Sequence, residues 1–180
     1  MNTLPSFDLY DSNALKHLLE ATKESCDSCG QARGWKYTGP FYSEHDDPVI
    51  CPWCIADSAA ASKFDGSFND GLHSDCKVPL AAPDLALINE RTPGFVTWQG
   101  NYWWACCGTP CRFMGDATAD ALQGSWSSIV PALRKDLGEV MSDPDEFEEF
   151  LENAERGGSP AVYVFQCRKC SKLHFYWDMD

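Results

Sequence analysis

Apolar positions along this chain come in short bursts, some at helical spacing and some alternating, separated by glycine, proline and paired cysteines. In residues 11–23, DSNALKHLLEATK, Leu15, Leu18 and Leu19 repeat at helical intervals behind Asp11 or Ser12 as cap, which predicts a short amphipathic helix. WKYTGPFY, residues 35–42, reads as two short strands around a Gly39-Pro40 turn. In VICPWCIADSAAASKF, Pro52 suits the first turn of a helix and the alanine-rich run behind it carries that helix to about Phe64. Polar, glycine-containing residues 65–78 predict a long connection. PDLALINE then predicts a helix, followed by a turn at Pro93-Gly94 and a strand near Phe95 to Trp98.

The second half changes character. From Asp136 to Glu155 there are nine acidic residues and no lysine or arginine. Within that stretch a helix places Phe147, Phe150, Leu151 and Ala154 on one face, and Asp145, Glu146, Glu148, Glu149, Glu152 and Glu155 largely on the others. The closing segment predicts a β-hairpin: a strand from Val162 to Phe165, a turn holding Cys167 and Cys170, and a return strand from Leu173 to Trp177.

A chain of 180 residues can bury a core without staples, so its ten cysteines call for a reason. The stretch MNTLPSFDLYDSNALKHLLE lacks the basic start and apolar core of a secretion signal, and no apolar run approaches the roughly 18 residues of a membrane span. The expectation is a soluble cytoplasmic protein that meets no membrane, where Cys-x-x-Cys pairs serve metal or redox chemistry rather than structural disulfides. Lysine and arginine number 14 against 27 aspartates and glutamates, a net charge of −13. That sign argues against direct nucleic-acid binding and suits a basic protein partner, whose approach it would accelerate.

Cys26 and Cys29 form one Cys-x-x-Cys unit, and 21 residues separate it from the next, Cys51 and Cys54. The order knuckle, hairpin, helix is the layout of a treble-clef zinc finger, in which two such pairs supply the four thiolates zinc requires. The competing reading is that VICPWC forms the strand-turn-helix of a dithiol oxidoreductase, whose helix N-terminus activates a thiol. A second dithiol one hairpin upstream favours the metal. The Cys167/Cys170 turn is half of a zinc ribbon, and Cys107 and Cys111 are the expected complement, with Cys106 as alternate to Cys107. His174 lies near enough in sequence to compete, but as a strand residue it reads as packed or exposed. Cys76 reads as a small buried side chain or a spare thiol in a loop, and Trp98, Trp103, Trp104 and Trp126 read as core around the second site. Replacing Cys26 or Cys167 by serine is expected to leave the protein unfolded or insoluble.

Together the segments CDSCGQARGWKYTGPFYS, ICPWCIADSAAASKFDGSFND, WWACCGTPCRFMGDA and YVFQCRKCSKLHFYWD resemble the CbrC family, a bacterial group linked to colicin tolerance, over nearly the whole chain. In that family the position before the central cysteine is often histidine, where this chain has Cys106. The resemblance implies a zinc-containing cytoplasmic protein tied to toxin resistance, and brings no catalytic residues.

These readings give an α+β protein: a treble-clef-like zinc unit over residues 1–80 and a zinc-ribbon-like unit over 81–180 with the acidic helix inserted between its half-sites, the two packed as one compact body. Two structural Zn2+ ions are expected, and no enzymatic activity. The expected role is immunity or tolerance by binding a basic toxin domain, through the acidic helix and the loop SEHDDP carrying Glu44, Asp46 and Asp47. The alternatives are a zinc-ribbon regulator docking on transcription or nucleic-acid machinery, and the thiol oxidoreductase. No His-Glu-x-x-His or phosphate-cradling glycine loop supports hydrolytic or nucleotide chemistry.

Overall fold

The computed structural model describes residues 3–141 and 143–180 of the chain. Met1 and Asn2, which open the stretch read for a secretion signal, and Ser142, inside the acidic stretch, lie outside the described residues.

The chain starts with α1 (Ser12–Leu15), capped by Asp11, whose carboxylate accepts from the Asn13 N–H. A 3₁₀ turn over Lys16–Leu18 follows, and then β1 (Leu19–Ala21). The helix expected through Lys23 therefore ends early. Leu19–Ala21 instead pairs antiparallel with β2 (Trp35–Tyr37), Leu19 facing Tyr37 and Ala21 facing Trp35. This pairing also replaces the hairpin expected within residues 35–42, because the partner of β2 lies upstream of the first cysteine pair.

After β2 the chain forms α2 (Pro52–Ala56) and α3 (Ala59–Phe64). The single helix read there is broken at Asp57-Ser58. Ser58 is left-handed at φ 62°, while the Asp57 carboxylate accepts from the Ala59 N–H and so starts the second helix afresh. The connection over residues 65–78 is largely irregular, and α4 (Ala82–Arg91) covers PDLALINE. Phe95 to Trp98 is not a strand. The chain just after it is held by side chains rather than by a ladder, the N–H groups of Gln99 and Tyr102 being taken by Asp178 and Tyr176.

The next elements are β3 (Ala105–Cys106), β4 (Thr109–Pro110), β5 (Arg112–Asp116), α5 (Ala119–Gln123), α6 (Val130–Leu137), α7 (Pro144–Asn153), β6 (Ala161–Gln166) and β7 (Leu173–Asp178). β5, β6 and β7 form an antiparallel sheet in that order, with a bulge between Phe113 and Gly115. The terminal hairpin is found as read, each strand a residue or so longer, with Val162 facing Trp177 and Phe165 facing His174.

Because side chains alternate across a strand, β6 feeds two cores. Tyr163 and Phe165 join Phe95, Trp103, Phe113 and Tyr176 in one core that also takes in Leu9, Ile50, Ile55 and Phe68. Val162 and Val164 face a second core with Leu122, Leu133, Leu137 and Phe147, which receives the helices inserted between β5 and β6. The first core thus draws on residues 7 to 176 and crosses position 80. A local tie reinforces this: the Tyr10 and Tyr37 hydroxyls both donate to the Gly94 carbonyl, at 3.4 and 3.1 Å. Gly94 has no room for a side chain, since a Cβ there would sit 2.1 Å from the Phe68 carbonyl oxygen.

Candidate metal centres

β1 and β2 hold the first cysteine pair between them as the tip of a hairpin. The tip is a tight turn in which the Gly30 N–H donates to the Cys26 carbonyl at 2.7 Å and the Cys26 N–H to the Gln31 carbonyl at 3.0 Å. The segment entering α2 runs beside this hairpin. Tyr37 N–H donates to the Ile50 carbonyl, Asp27 N–H to the Val49 carbonyl, and Val49 N–H to the Asp27 carboxylate at 2.7 Å. Lys63, on α3, donates to the carbonyls of Asp27 and Ser28 and so fixes the tip to the helix.

These contacts bring the Sγ atoms of Cys26, Cys29, Cys51 and Cys54 within 4.8 Å of one another. Cys26–Cys54 is 3.8 Å, Cys29–Cys51 4.0 Å and Cys51–Cys54 3.6 Å, and all ten cysteines of the chain are free thiols. A tetrahedral tetrathiolate centre with metal–sulfur bonds of about 2.3 Å has edges of roughly 3.8 Å, so the tetrad matches it, whereas a disulfide closes to about 2.05 Å. Cys26, Cys51 and Cys54 are 2%, 2% and 1% exposed. Burial pushes the Cys51 and Cys54 thiols up. Without a cation they would stay protonated, and a bound dication would displace those protons. The Cys51 N–H, 3.3 Å from Cys26 Sγ, supports a thiolate there.

The second tetrad comprises Cys106, Cys107, Cys167 and Cys170, again with all Sγ atoms within 4.8 Å. Cys106–Cys107 is 3.7 Å and Cys106–Cys170 3.9 Å. This corrects the expected ligand set, because Cys111 lies outside the group and Cys106 within it. The cause is a two-residue turn. Ala105 faces Pro110 and Cys106 faces Thr109, while Cys107 and Gly108 both take positive φ, 54° and 68°. The hairpin tip thus presents both adjacent cysteines. Cys111, three residues past the tip, donates its N–H to the Trp104 carbonyl and is fully buried, its thiol pushed up to about 12 by burial.

Opposite this tip, β6 and β7 close through a second tight turn, in which the Cys167 N–H donates to the Lys172 carbonyl and the Ser171 N–H to the Cys167 carbonyl. Burial pushes the Cys167 thiol up, but N–H groups of Cys170 and Lys169 and the neighbouring thiols outweigh it and bring it down to about 6. Lys169 crosses to donate to the Cys107 carbonyl at 3.0 Å. Cys107 and Cys170 are exposed and Cys106 is partly so.

Other sequence candidates fall elsewhere. His174 stacks on Trp104, ring centres 4.9 Å apart, outside the tetrad. Cys76 accepts from the Ala105 N–H at 3.1 Å, behind the second hairpin. Trp103 is fully buried and Trp126 packs on the second core, but Trp98 is 48% exposed, with its indole N–H on the Gly158 carbonyl.

All of the acidic candidates, Asp145, Glu146, Glu148, Glu149 and Glu152 on α7 and Glu44, Asp46 and Asp47 in the loop, are exposed. Helix α7 sits as its pattern predicts, with Phe147 buried in the second core and Phe150, Leu151 and Ala154 packed against it. Arg134 of α6 lies over the Phe147 ring at 4.2 Å and pairs with Glu148.

The molecule is therefore a mixed α+β protein whose two all-cysteine tetrads can each hold a metal ion. Its sequence places it further: residues 4–179 match the family described as "Uncharacterised protein family (UPF0167)", and the chain belongs to that family. It is 34% identical to UPF0167 protein PA1536 of Pseudomonas aeruginosa over 98% of this chain and 97% of that one. It is 35% identical to UPF0167 protein Mb2317 of Mycobacterium bovis and to UPF0167 protein MT2352 of Mycobacterium tuberculosis, over 97% of this chain and 93% of each. No solved structure matches the chain significantly. No helix among the described residues is long and apolar enough to cross a membrane.

Proposed function

We propose that this protein is a zinc-dependent, non-enzymatic binding protein of the cytoplasm, of the CbrC type, that neutralises a basic toxin domain, in the first instance that of a nuclease-type antibacterial toxin. The two tetrads hold structural zinc. Four thiolates close the coordination sphere of each ion and leave no position for water or substrate. The observation that carries the metal assignment is the set of sulfur separations, 3.6 to 4.0 Å, at the edge length of a zinc tetrathiolate. The dithiol-enzyme reading of Cys51 and Cys54 fares worse, because such an enzyme needs an accessible nucleophile with a lowered pKa. Both residues are buried and their thiols are pushed up.

The binding role is supported by α7. Among the described residues, Glu148 is the one carboxylate of that helix in an ion pair, so Asp145, Glu146, Glu149 and Glu152 face solvent unneutralised. Each zinc tetrathiolate adds a charge of about −2 to the formal −13, deepening a field that attracts a basic cleft.

Two measurements test the reading. Zinc analysis of the purified chain should return two ions, and a content near zero rules out the metal assignment. Titration with a basic nuclease toxin domain should show binding that weakens with salt and on reversal of Glu146, Glu149 and Glu152 to lysine. Absence of binding, together with no protection in a growth assay against the toxin, defeats the partner assignment.

A further inference from the structure

We propose that the second tetrad is an oxidant-sensitive modification site, in which Cys170 and Cys106 form a disulfide on exposure to a peroxide and the metal is released, while the first tetrad stays reduced. The inference rests on the zinc assignment above and adds that the two centres differ in reactivity. Both are sets of four cysteines, and what separates their reactivity is where each lies in the fold.

The structure separates them by access. Peroxide must reach a sulfur in line with its O–O bond, so oxidation follows thiolate character and exposure. In the first tetrad three of four cysteines are 1–2% exposed, within the main core together with Ile50 and Ile55. In the second, Cys107 and Cys170 lie at the outer tips of two turns and are exposed, and only Cys167 is buried. Cys106 and Cys170 come from different turns, 64 residues apart in sequence, with sulfurs at 3.9 Å. Closing that gap to about 2.05 Å moves two hairpin tips toward each other by roughly 2 Å. The adjacent pair Cys106–Cys107 is as close at 3.7 Å, but its peptide is fixed in a two-residue turn with Cys107 at positive φ, so a bridge there would have to remake the turn.

The chemistry balances with hydrogen peroxide as the named oxidant. The Cys170 thiolate attacks one peroxide oxygen, the O–O bond breaks, and the products are Cys170 sulfenic acid and hydroxide. The Cys106 thiolate then attacks the sulfenic sulfur and displaces a second hydroxide. Two protons convert the two hydroxides to water. The sulfurs lose two electrons and the peroxide gains two. With two of its four ligands gone, Zn2+ leaves. Arg168, Lys169 and Lys172 are all exposed on this same turn.

The test uses the full chain as purified. Its zinc content is measured first, then hydrogen peroxide is added stepwise while released zinc is followed with a chromophoric chelator, and disulfides are mapped by mass spectrometry. The expected result is release of one zinc at a clearly lower peroxide dose than releases the other, following the difference in exposure. The Cys106–Cys170 disulfide appears with the first release, Cys26, Cys29, Cys51 and Cys54 remain reduced, and a thiol reductant with added zinc restores the site. Simultaneous release of both ions, prior oxidation of the first tetrad, or release without that disulfide overturns the proposal. A chain holding fewer than two zinc ions at the outset defeats the zinc assignment instead. The disulfide map then still decides whether Cys106 and Cys170 are the pair that oxidises first. Cys170→Ser is expected to lose the early disulfide.

Discussion

The two tetrads share a ligand chemistry and differ in what lies beneath them. The first is built into the main core, where Cys26, Cys51 and Cys54 pack with Ile50, Ile55 and Tyr37, and its loss exposes apolar surface from both the β1–β2 hairpin and α2. The second clamps two hairpin tips at the edge, where β3 and β4 contribute just two residue pairs and three of the cysteines reach solvent. Metal bound at the first site would be coupled to forming a core. At the second it would fix how two already formed turns meet. The energy of a structural zinc site, on the order of 10–16 kcal/mol in small zinc domains, is the same currency in both places, but the structure that depends on it is not.

The largest expected effect is therefore on the first site. Cys54→Ser should abolish cooperative folding, seen as insolubility or loss of near-ultraviolet circular dichroism, whereas Cys170→Ser should stay folded with one zinc fewer. Equal damage from both would erase the distinction between the sites. The earlier expectation that Cys167→Ser is as destructive as Cys26→Ser becomes a finer test, because Cys167 is the one buried member of the outer tetrad.

Phe147→Ala should come next. It empties a buried site under α7 and removes the ring beneath Arg134, at a cost of about 3–5 kcal/mol by thermal or urea unfolding. Both zinc ions should remain bound, since neither tetrad packs on the second core. If the acidic face binds a toxin domain as proposed, loss of that binding without loss of metal would show that the face is separable from both clamps.

A paired substitution compares the clamps more gently. Lys63 donates to two carbonyls of the first knuckle and Lys169 to one carbonyl across the second. Lys63→Ala should lower stability by about 1 kcal/mol and Lys169→Ala by less, measured by denaturant midpoint. A larger effect at Lys169 would mean that the outer clamp carries more of the fold than its burial implies.

The smallest effect concerns Asp116, on the strand that leads from the second hairpin into the sheet. Burial raises its pKa above the ordinary carboxylate value, with Arg156 and the Gly157 N–H opposing. The native state then holds this proton at pH values where the unfolded chain has lost it, so stability declines as pH rises from the ordinary carboxylate value through the raised one. Asp116→Asn, which can still accept from Gly157 N–H, should flatten that decline and raise Tm slightly at pH 7. It should change nothing below the ordinary carboxylate range. An unchanged pH profile would mean that Asp116 is effectively solvated.

Much of this was legible in the chain. Cys26, Cys29, Cys51 and Cys54 could be grouped because two Cys-x-x-Cys turns announce their own geometry, and each turn is set by backbone bonds within a few residues. The face of α7 and the closing hairpin were legible because their apolar periods, 3.6 and 2, persist long enough to leave one reading. The pairing of β1 with β2 was not. Leu18 and Leu19 fit a helical stripe as well as a strand, and the choice was made by a partner strand 16 residues away. Cys106 against Cys111 was harder still. Cys-Cys-Gly-Thr-Pro-Cys offers three thiols, and the signal that selects among them is Cys107-Gly108 as a two-residue turn, visible in the Gly but weak with cysteine in the other place.

By itself, then, the sequence determined the metal-binding residue type, the inner clamp, the acidic helix and the final hairpin, since each depends on interactions between near neighbours or on a sustained period. The tertiary structure alone decided which strands pair, which cysteines complete the outer clamp, and which clamp faces solvent. Burial is a property of what packs against a residue from elsewhere in the chain, and two tetrads of the same ligand type come to differ in exposure when one is built into the main core and the other is left at the edge.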